Sequence, residues 1–491
     1  MAKALLPLTI TGGCLAVFTT TWLHAVNRNV PSPYMDEIFH IPQAQQYCAS
    51  DFHTWDPKLT TPPGLYAFSL LLKAATRAGC TGADLRSIGS VALAALLVVS
   101  YYLRKLLSGS TQHVDRAWKV AHEALNVCLF PPLFFFSGLY YTDVLSTLVI
   151  VVAYFAFQRG AGGASLRGGL LAYGLGVVGL VMRQTNVFWV GVFLAGMEWI
   201  RTCTDMTAKE PNQGGQGKDK TLIERTLGPY TRGELHDPPL EESGPLGDKS
   251  NHVATLHLTQ MLYLWPFIAF FSFPLFVPTI VSAFFSPTLP RASTLTWAIL
   301  AIALSLGIVH FNTLIHPFTL ADNRHYMFYV FRYTILRHPL IKYALAPIYV
   351  LCGWFVLHAL CKHQPISFGA TTSSQETLRR GKLSRSAVRD GGGKRAPETK
   401  TSFALIWLLT TALSLITAPL VEPRYFILPW MLWRLHVQPT HGSLAGLSVE
   451  STRLWGETLW FLAVNVGTCA VFLGKEFEWA SEPGNVQRFM W

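Results

Sequence analysis

Outside two hydrophilic stretches, residues 203–252 and 362–400, only 40 of the remaining 402 residues carry a charge. A water-soluble domain is about one-quarter charged, so a body with about one charge in ten cannot clothe itself for water. It must face lipid. Over the whole chain 51% of residues are apolar and 14% charged. That balance excludes a cytosolic enzyme, a secreted disulfide scaffold and a nucleic-acid binder. The formal charge of +11 does not revive the last of these, because Lys and Arg of membrane proteins collect in cytoplasmic loops and at headgroups.

A crossing helix needs about 20 mostly apolar residues. Apolar runs lie near 4–26, 62–78, 86–103, 120–142, 143–158, 169–185, 187–200, 255–286, 294–316, 342–361, 402–418, 424–438 and 455–474. They predict an all-α, polytopic membrane protein with about 12 or 13 transmembrane helices. No period-2 alternation is sustained, which argues against a β-barrel. The first run reads as an uncleaved span. The chain divides into a module at 1–202 with a polar loop at 27–61, a loop at 203–252, and a module at 253–361 with a polar loop at 317–340. A loop at 362–400 and a last module at 401–491 follow. Both long loops read as disordered. The second, with nine basic and three acidic residues, is expected on the cytoplasmic side.

The topology does not close on sequence alone. If 27–61 is luminal and Arg104-Lys105 cytoplasmic, an odd number of spans must separate 61 from 104, yet two candidates fall there. Either 62–78 is not a full crossing or the two basic residues break the positive-inside rule. Most of the eight cysteines sit in or beside apolar runs as small hydrophobes. Cys48 has no evident partner.

In so charge-poor a chain, polar clusters beside the spans carry the information. The first contains Asp36, Glu37, His40 and Gln43, then Trp55 and Thr60-Thr61-Pro62-Pro63-Gly64. Adjacent carboxylates point about 100° apart on a helix, so one can face a reaction centre while the other holds a neighbour. Asp36 and His40 share a helix face. A helix cap would account for the acids equally well. The second cluster is Arg183-Gln184-Thr185-Asn186, either an anion clamp or a snorkelling arginine. The third is Asp322-Asn323-Arg324-His325-Tyr326, a mixture that suits sugars; an internal Asp322–Arg324 pair is the plainer reading. The fourth is Glu422-Pro423-Arg424-Tyr425, readable also as an interfacial ion pair. Tyr140-Tyr141-Thr142-Asp143 is weaker, since a lone acid can simply mark a helix turn. No phosphate-binding Gly-rich loop, HExxH or GxSxG occurs. Nothing demands a metal or cofactor. An enzyme using a lipid-phosphate substrate, or a transporter, fits these features.

Taken in order, Tyr34 to Gln45, Thr60 to Tyr66, Arg183 to Asn186, Leu320 to Tyr326, Arg424 to Pro429 and Gln487 to Trp491 resemble the blocks of a family. It is the endoplasmic-reticulum α-1,2-glucosyltransferases that use dolichyl phosphate glucose. The resemblance implies the C-type glycosyltransferase fold with a helical first luminal loop, in a multi-pass protein of the endoplasmic-reticulum membrane. It implies transfer of the last glucose to the dolichyl-diphosphate-linked oligosaccharide of N-glycosylation, with dolichyl phosphate glucose, that oligosaccharide and membrane lipid as partners and no nucleic acid. It makes Asp36 the general base of an inverting reaction. Arg183, Arg324 and Arg424, backed by His325 and His40, become candidates for the leaving phosphate. Glu37, Gln43, Gln184, Asn186, Asp322, Asn323 and Glu422 are expected to help bind substrate, with Trp55, Tyr326 and Tyr425 as sugar or lipid contacts. The nearest rival is another dolichyl-phosphate-sugar transferase; a transporter or membrane regulator is the rival of another class. One departure stands out. The family carries a further span before Gly247, whereas residues 203–246 here are hydrophilic, so this chain is expected to lack one helix through a deletion or a gene-model error.

Overall fold

The computed structural model describes residues 2–77, 79–109, 114–160, 166–209, 256–285, 292–313, 317–361, 366–367, 399–418, 420–440, 442–444 and 447–491. Most of the 203–252 and 362–400 stretches, and the region of the expected missing helix, lie outside them. Among the described residues the regular structure is helical apart from strands of two or three residues. Six helices are long and apolar enough to cross a bilayer: Leu5–Asn29, Gly82–Leu107, Thr142–Gly160, Thr294–Asn312, Ile341–His358 and Val449–Gly474. Thr259–Phe271 and Phe273–Phe284 form a further pair bent by 85°. Gly64–Thr76, Gly169–Leu180 and Thr401–Ile416 are apolar but shorter. The chain is therefore an all-α, multi-pass membrane protein. Fewer helices reach full span length than the 12 or 13 apolar runs suggest, because proline breaks some runs. The 120–142 run, for instance, divides at Phe130 into α5 (Val114–Leu129) and the short α6 (Pro131–Phe136), since consecutive prolines supply no N–H to continue α5.

The disputed segment 62–78 does not cross. After α1 (Ala2–Asn29) comes the polar loop, which carries α2 (Glu37–Cys48) and leads into α3 (Gly64–Thr76). Thirteen residues of helix rise about 20 Å, short of a hydrocarbon core of about 30 Å. The far end of α3 is also tied back to the loop from which it came. Lys73 Nζ donates to the Cys48 carbonyl at 2.9 Å, Gln45 Nε2 donates to the Cys80 carbonyl at 3.1 Å, and Cys48 and Cys80 form a disulfide. Cys48 thus does have a partner, 32 residues on. Arg77, in the left-handed region at φ 58, ends α3. Then α4 (Gly82–Leu107) starts at a Thr81/Asp84 capping box, which satisfies two orphan N–H groups at once. At 26 residues it spans the bilayer alone. One crossing now separates 61 from Arg104, the odd number that placing them on opposite sides requires.

One helix runs through the middle of the packing. Ile427–His436 buries Trp430, Met431, Leu432 and Trp433 completely, and Trp430 stacks on Phe130 with centroids 3.8 Å apart. Its far end is held by charge. Arg434 gives two bonds of 2.7 Å to Glu457, both side chains being fully buried. Arg104, paired with Glu123, donates to the Leu435 carbonyl at 2.7 Å. Its near end follows a 3₁₀ turn, Pro423–Phe426, which carries Arg424.

Cysteines introduced at His53, Arg77 and Lys105, in a background freed of other exposed thiols, test the topology. An impermeant maleimide applied to sealed microsomes should treat positions 53 and 77 alike and position 105 oppositely. Labelling of 77 together with 105 would make α3 a crossing helix.

Candidate active site

Asp36 occupies the N-cap position of α2, yet its side chain accepts no hydrogen bond from the first turn. An N-cap acid ordinarily closes onto the N–H groups behind it. Here Met35, at φ 54, turns the chain just before it, a conformation that costs a side-chain-bearing residue of order 1 kcal/mol. The Asp36 carboxylate leaves its own helix for Arg424 Nη1, 2.6 Å away. It stays 38% exposed, so part of it remains open. Burial pushes its pKa up, but the Arg424 guanidinium outweighs that and holds it below the ordinary carboxylate value.

Glu37 goes the other way. It is fully buried and accepts from Arg86 Nε at 2.9 Å, Arg86 Nη2 at 2.6 Å, Tyr140 N at 2.8 Å and Tyr34 N at 3.1 Å. Four donors on one carboxylate leave it no capacity for a ligand. Glu37, expected among the substrate contacts, pins the loop to α4 and to the turn before α7 (Thr142–Gly160).

Around Asp36 the chain assembles residues from four distant segments. Arg424 Nε also pairs with Glu422. Arg183 follows α8 (Leu166–Leu180) and pairs with Asp143, in the first turn of α7. The carbons at the centres of the Arg183 and Arg424 guanidinium groups lie 5.5 and 5.9 Å from the centre of the Tyr425 ring, within cation–π range. Arg183, Arg424, Asp143 and Tyr425 line one cavity with Ser146 and Thr185. The Arg183 turn is fixed by the Pro-Pro-Gly block. Gly64 N donates to the Val181 carbonyl at 2.8 Å, and a Cβ on Gly64 would fall 2.4 Å from that oxygen. Only glycine permits the contact. Gln184 Nε2 donates to the Thr60 carbonyl at 2.7 Å. Two sequence blocks more than a hundred residues apart are thereby clipped together.

The Asp322–Tyr326 block forms a second group. Arg324 grips Asp322 with bonds of 2.9 and 2.7 Å, so the plainer pair reading is also present. That pair is anchored elsewhere. Gln487 Oε1 accepts from Arg324 at 3.1 Å, Arg324 lies 4.5 Å over the Trp479 ring, and Trp479 Nε1 donates to Asn323 at 2.8 Å. His325 Nδ1 sits 3.1 Å from the Trp491 carbonyl. Asp322, His325 and Glu422 line a further cavity, so Glu422 borders both groups.

Several expected ligand contacts make intramolecular bonds that brace the fold. Gln43 is buried and holds the loop by donating to the Thr54 carbonyl and accepting from Asp56 N, at 2.8 and 2.9 Å. Asn186 is fully buried, donating to Ser146 and the Gly179 carbonyl. The Tyr326 hydroxyl is turned inward and its ring packs on Trp491. His40 meets the Tyr66 hydroxyl at 2.7 Å, and burial keeps its imidazole below the ordinary pKa, hence neutral at pH 7. Trp55 is 37% exposed with its edge to Tyr66, and stays available to a ligand. Missed in the sequence were Arg86 and the Trp479 anchor, while Asp143 was weighed only as a helix-turn marker and Gln487 only as part of the terminal block. Asp143, the lone acid between two apolar runs, was the one visible signal. No group of His, Cys, Asp or Glu suited to a metal occurs among the described residues.

The fold and site define a multi-pass membrane protein with a charged, half-buried centre where a polar loop meets the helix ends. The chain belongs to the DIE2/ALG10 family, whose sequence profile matches residues 30–230 and 241–435. A relative from Aspergillus fumigatus is 36% identical, with 96% of each chain covered. Relatives from Arabidopsis thaliana and Rattus norvegicus are each 30% identical, covering 97% of this chain and 99% and 97% of their own. All three bear the name Dol-P-Glc:Glc(2)Man(9)GlcNAc(2)-PP-Dol alpha-1,2-glucosyltransferase. The alignment with the Aspergillus relative runs over 606 positions against 491 residues here, so that relative carries stretches with no counterpart in this chain. No solved structure matches the chain.

The Glu37–Arg86 pair gives a stability test. Arg86→Met strands a buried carboxylate and should cost roughly 3–5 kcal/mol, read as a fall in the unfolding midpoint in detergent. Glu37→Leu combined with Arg86→Met should recover part of that loss. A double variant no more stable than either single one would contradict the assignment.

Proposed function

We propose that this chain transfers glucose from dolichyl phosphate glucose to the diglucosylated dolichyl-diphosphate oligosaccharide, closing it with an α-1,2 linkage, and that Asp36 is the general base. The observation that carries the assignment is the Asp36 carboxylate, which forgoes capping α2 and projects into the arginine centre. The names of the relatives support the substrates, and the membrane fold suits two substrates carried on lipid.

A β-linked donor and an α-linked product require inversion. One base removes the proton from the acceptor 2-hydroxyl, the new C1–O bond forms on one face, and the phosphate leaves with the C1–O bonding pair from the other. A single carboxylate suffices. It must be ionised and within hydrogen-bond reach of the hydroxyl. Asp36, held below its ordinary pKa, is ionised throughout the neutral range. The phosphate gains charge as it leaves and is stabilised by fixed positive donors. Arg183 and Arg424 border the cavity, and each guanidinium has N–H groups beyond those its carboxylate partner takes. Glu422, Asp322, Arg324, His325 and the open face of Trp55 line the approach for the acceptor glycan. The Cys48–Cys80 disulfide supports placing this face in the oxidising lumen of the endoplasmic reticulum.

Asp36→Asn should abolish glucose transfer while the protein still accumulates in the membrane. Cells carrying it should build up the diglucosylated lipid-linked oligosaccharide. Accumulation of an earlier intermediate would point to a different sugar step, and an unchanged profile would overturn the reading. The pH profile tests the Arg424 contact separately. Removing that charge takes away the largest influence opposing burial of Asp36, leaving the smaller ones of His40 and Arg183, and raises its pKa. The acid limb of kcat/KM should therefore move to higher pH in Arg424→Met, on top of a lower plateau. An unmoved limb would remove Asp36 as the titrating base.

A further inference from the structure

Asp143 is 2% exposed. Its Oδ1 takes Arg183, whereas Oδ2 is buried with no hydrogen-bond partner. Buried carboxylate oxygens are rarely left so, because the lost hydration is not replaced. Two hydroxyls one turn further along its helix are engaged elsewhere. Thr147 Oγ1 donates to the backbone carbonyl of Asp143 at 2.7 Å, and Ser146 bonds with Asn186. The residue lines the cavity of Arg183, Arg424 and Tyr425.

Charge narrows what fills it. Asp36, Glu422 and Asp143 face only Arg183 and Arg424 in the ion-pair chain, leaving one negative charge over. Asp143 Oδ2 would repel a phosphate oxygen. It needs a neutral O–H donor, and the O–H groups nearest a phosphate held by these arginines are those of the sugar attached to it. We propose that Asp143 Oδ2 accepts a hydrogen bond from a hydroxyl of the donor's glucosyl group, so that Asp143 positions Arg183 with one oxygen and reads the sugar with the other. This rests on the transferase reading above. The acceptor sugar has its own carboxylate, Asp36, which pairs with Arg424.

The test uses the wild-type protein with short-chain polyprenyl phosphate glucose and its 2-, 3-, 4- and 6-deoxy analogues. Removing the hydroxyl that Asp143 holds should lower kcat/KM by about 10- to 100-fold, with the other positions much less affected. In Asp143→Asn the donor KM should rise, the acceptor KM should hold, and the penalty at that position should shrink to within about threefold. A flat deoxy series, as a trapped water at Oδ2 would give, overturns the proposal without touching the transferase reading. So does an Asp143→Asn effect confined to the acceptor KM. Absence of transfer from the parent donor would instead defeat the transferase reading. Because the deoxy series needs no variant, misfolding of Asp143→Asn leaves the test intact.

Discussion

Everything at the site depends on where the Glu37 charge goes. A carboxylate with no exposure is tolerable only if its lone pairs are filled, and Arg86 with two backbone N–H groups fills them. That arrangement fixes the polar loop against α4 and against the turn before α7. It also decides the neighbouring residue. With Glu37 committed inward and Met35 turned into the left-handed region, Asp36 is directed outward at Arg424. Two adjacent acids thus divide the work, one holding the frame and the other left partly open. The buried pair need not add net stability, since desolvation offsets much of its attraction. Its effect is to define one geometry.

The second charged group is held by a different device. Strands Glu476–Glu478 and Val486–Arg488 form a short antiparallel hairpin. Arg488 N and the Arg488 carbonyl share the Tyr34 hydroxyl at 2.7 Å, and Met490 pairs with the Arg324 carbonyl and Tyr326 N. The hairpin therefore touches both the Asp36 loop and the Asp322 block. The site is bordered by a loop, two helix starts, a 3₁₀ turn and a hairpin, none of which is rigid alone. Rigidity comes from the hydrogen bonds between them.

Much of this was legible in the sequence. Scarcity of charge announced the membrane, and the surviving charges marked the site, because burying each one in such a body requires a partner. Asp36, Arg183, Glu422 and Arg424 do converge. What local pattern could not convey was pairing over distance. Cys48 and Cys80 meet only because α3 folds back, and a thirteen-residue apolar helix looks like a poor span until its ends are seen on one side. Gln43 and Asn186 resemble ligand contacts in a motif, yet motifs also preserve braces. Asp143 was given less weight because a lone acid between two apolar runs can simply mark a helix turn. Its second oxygen becomes informative only when its surroundings are known.

The separation of Asp36 from Arg424, 388 residues, has a consequence during synthesis. Translation proceeds at about 5–20 residues per second, so on the order of 20–80 seconds pass between the two residues leaving the ribosome. For that interval Asp36 has no Arg424, and Tyr34 waits longer still for Arg488. Glu37 and Arg86, only 49 residues apart, can neutralise each other early. The nascent chain thus completes its scaffold pair well before its centre, and it must hold a half-built polar cleft open at the translocon until the last third arrives. Membrane chaperones that shield unpaired charge would act on this protein in that window.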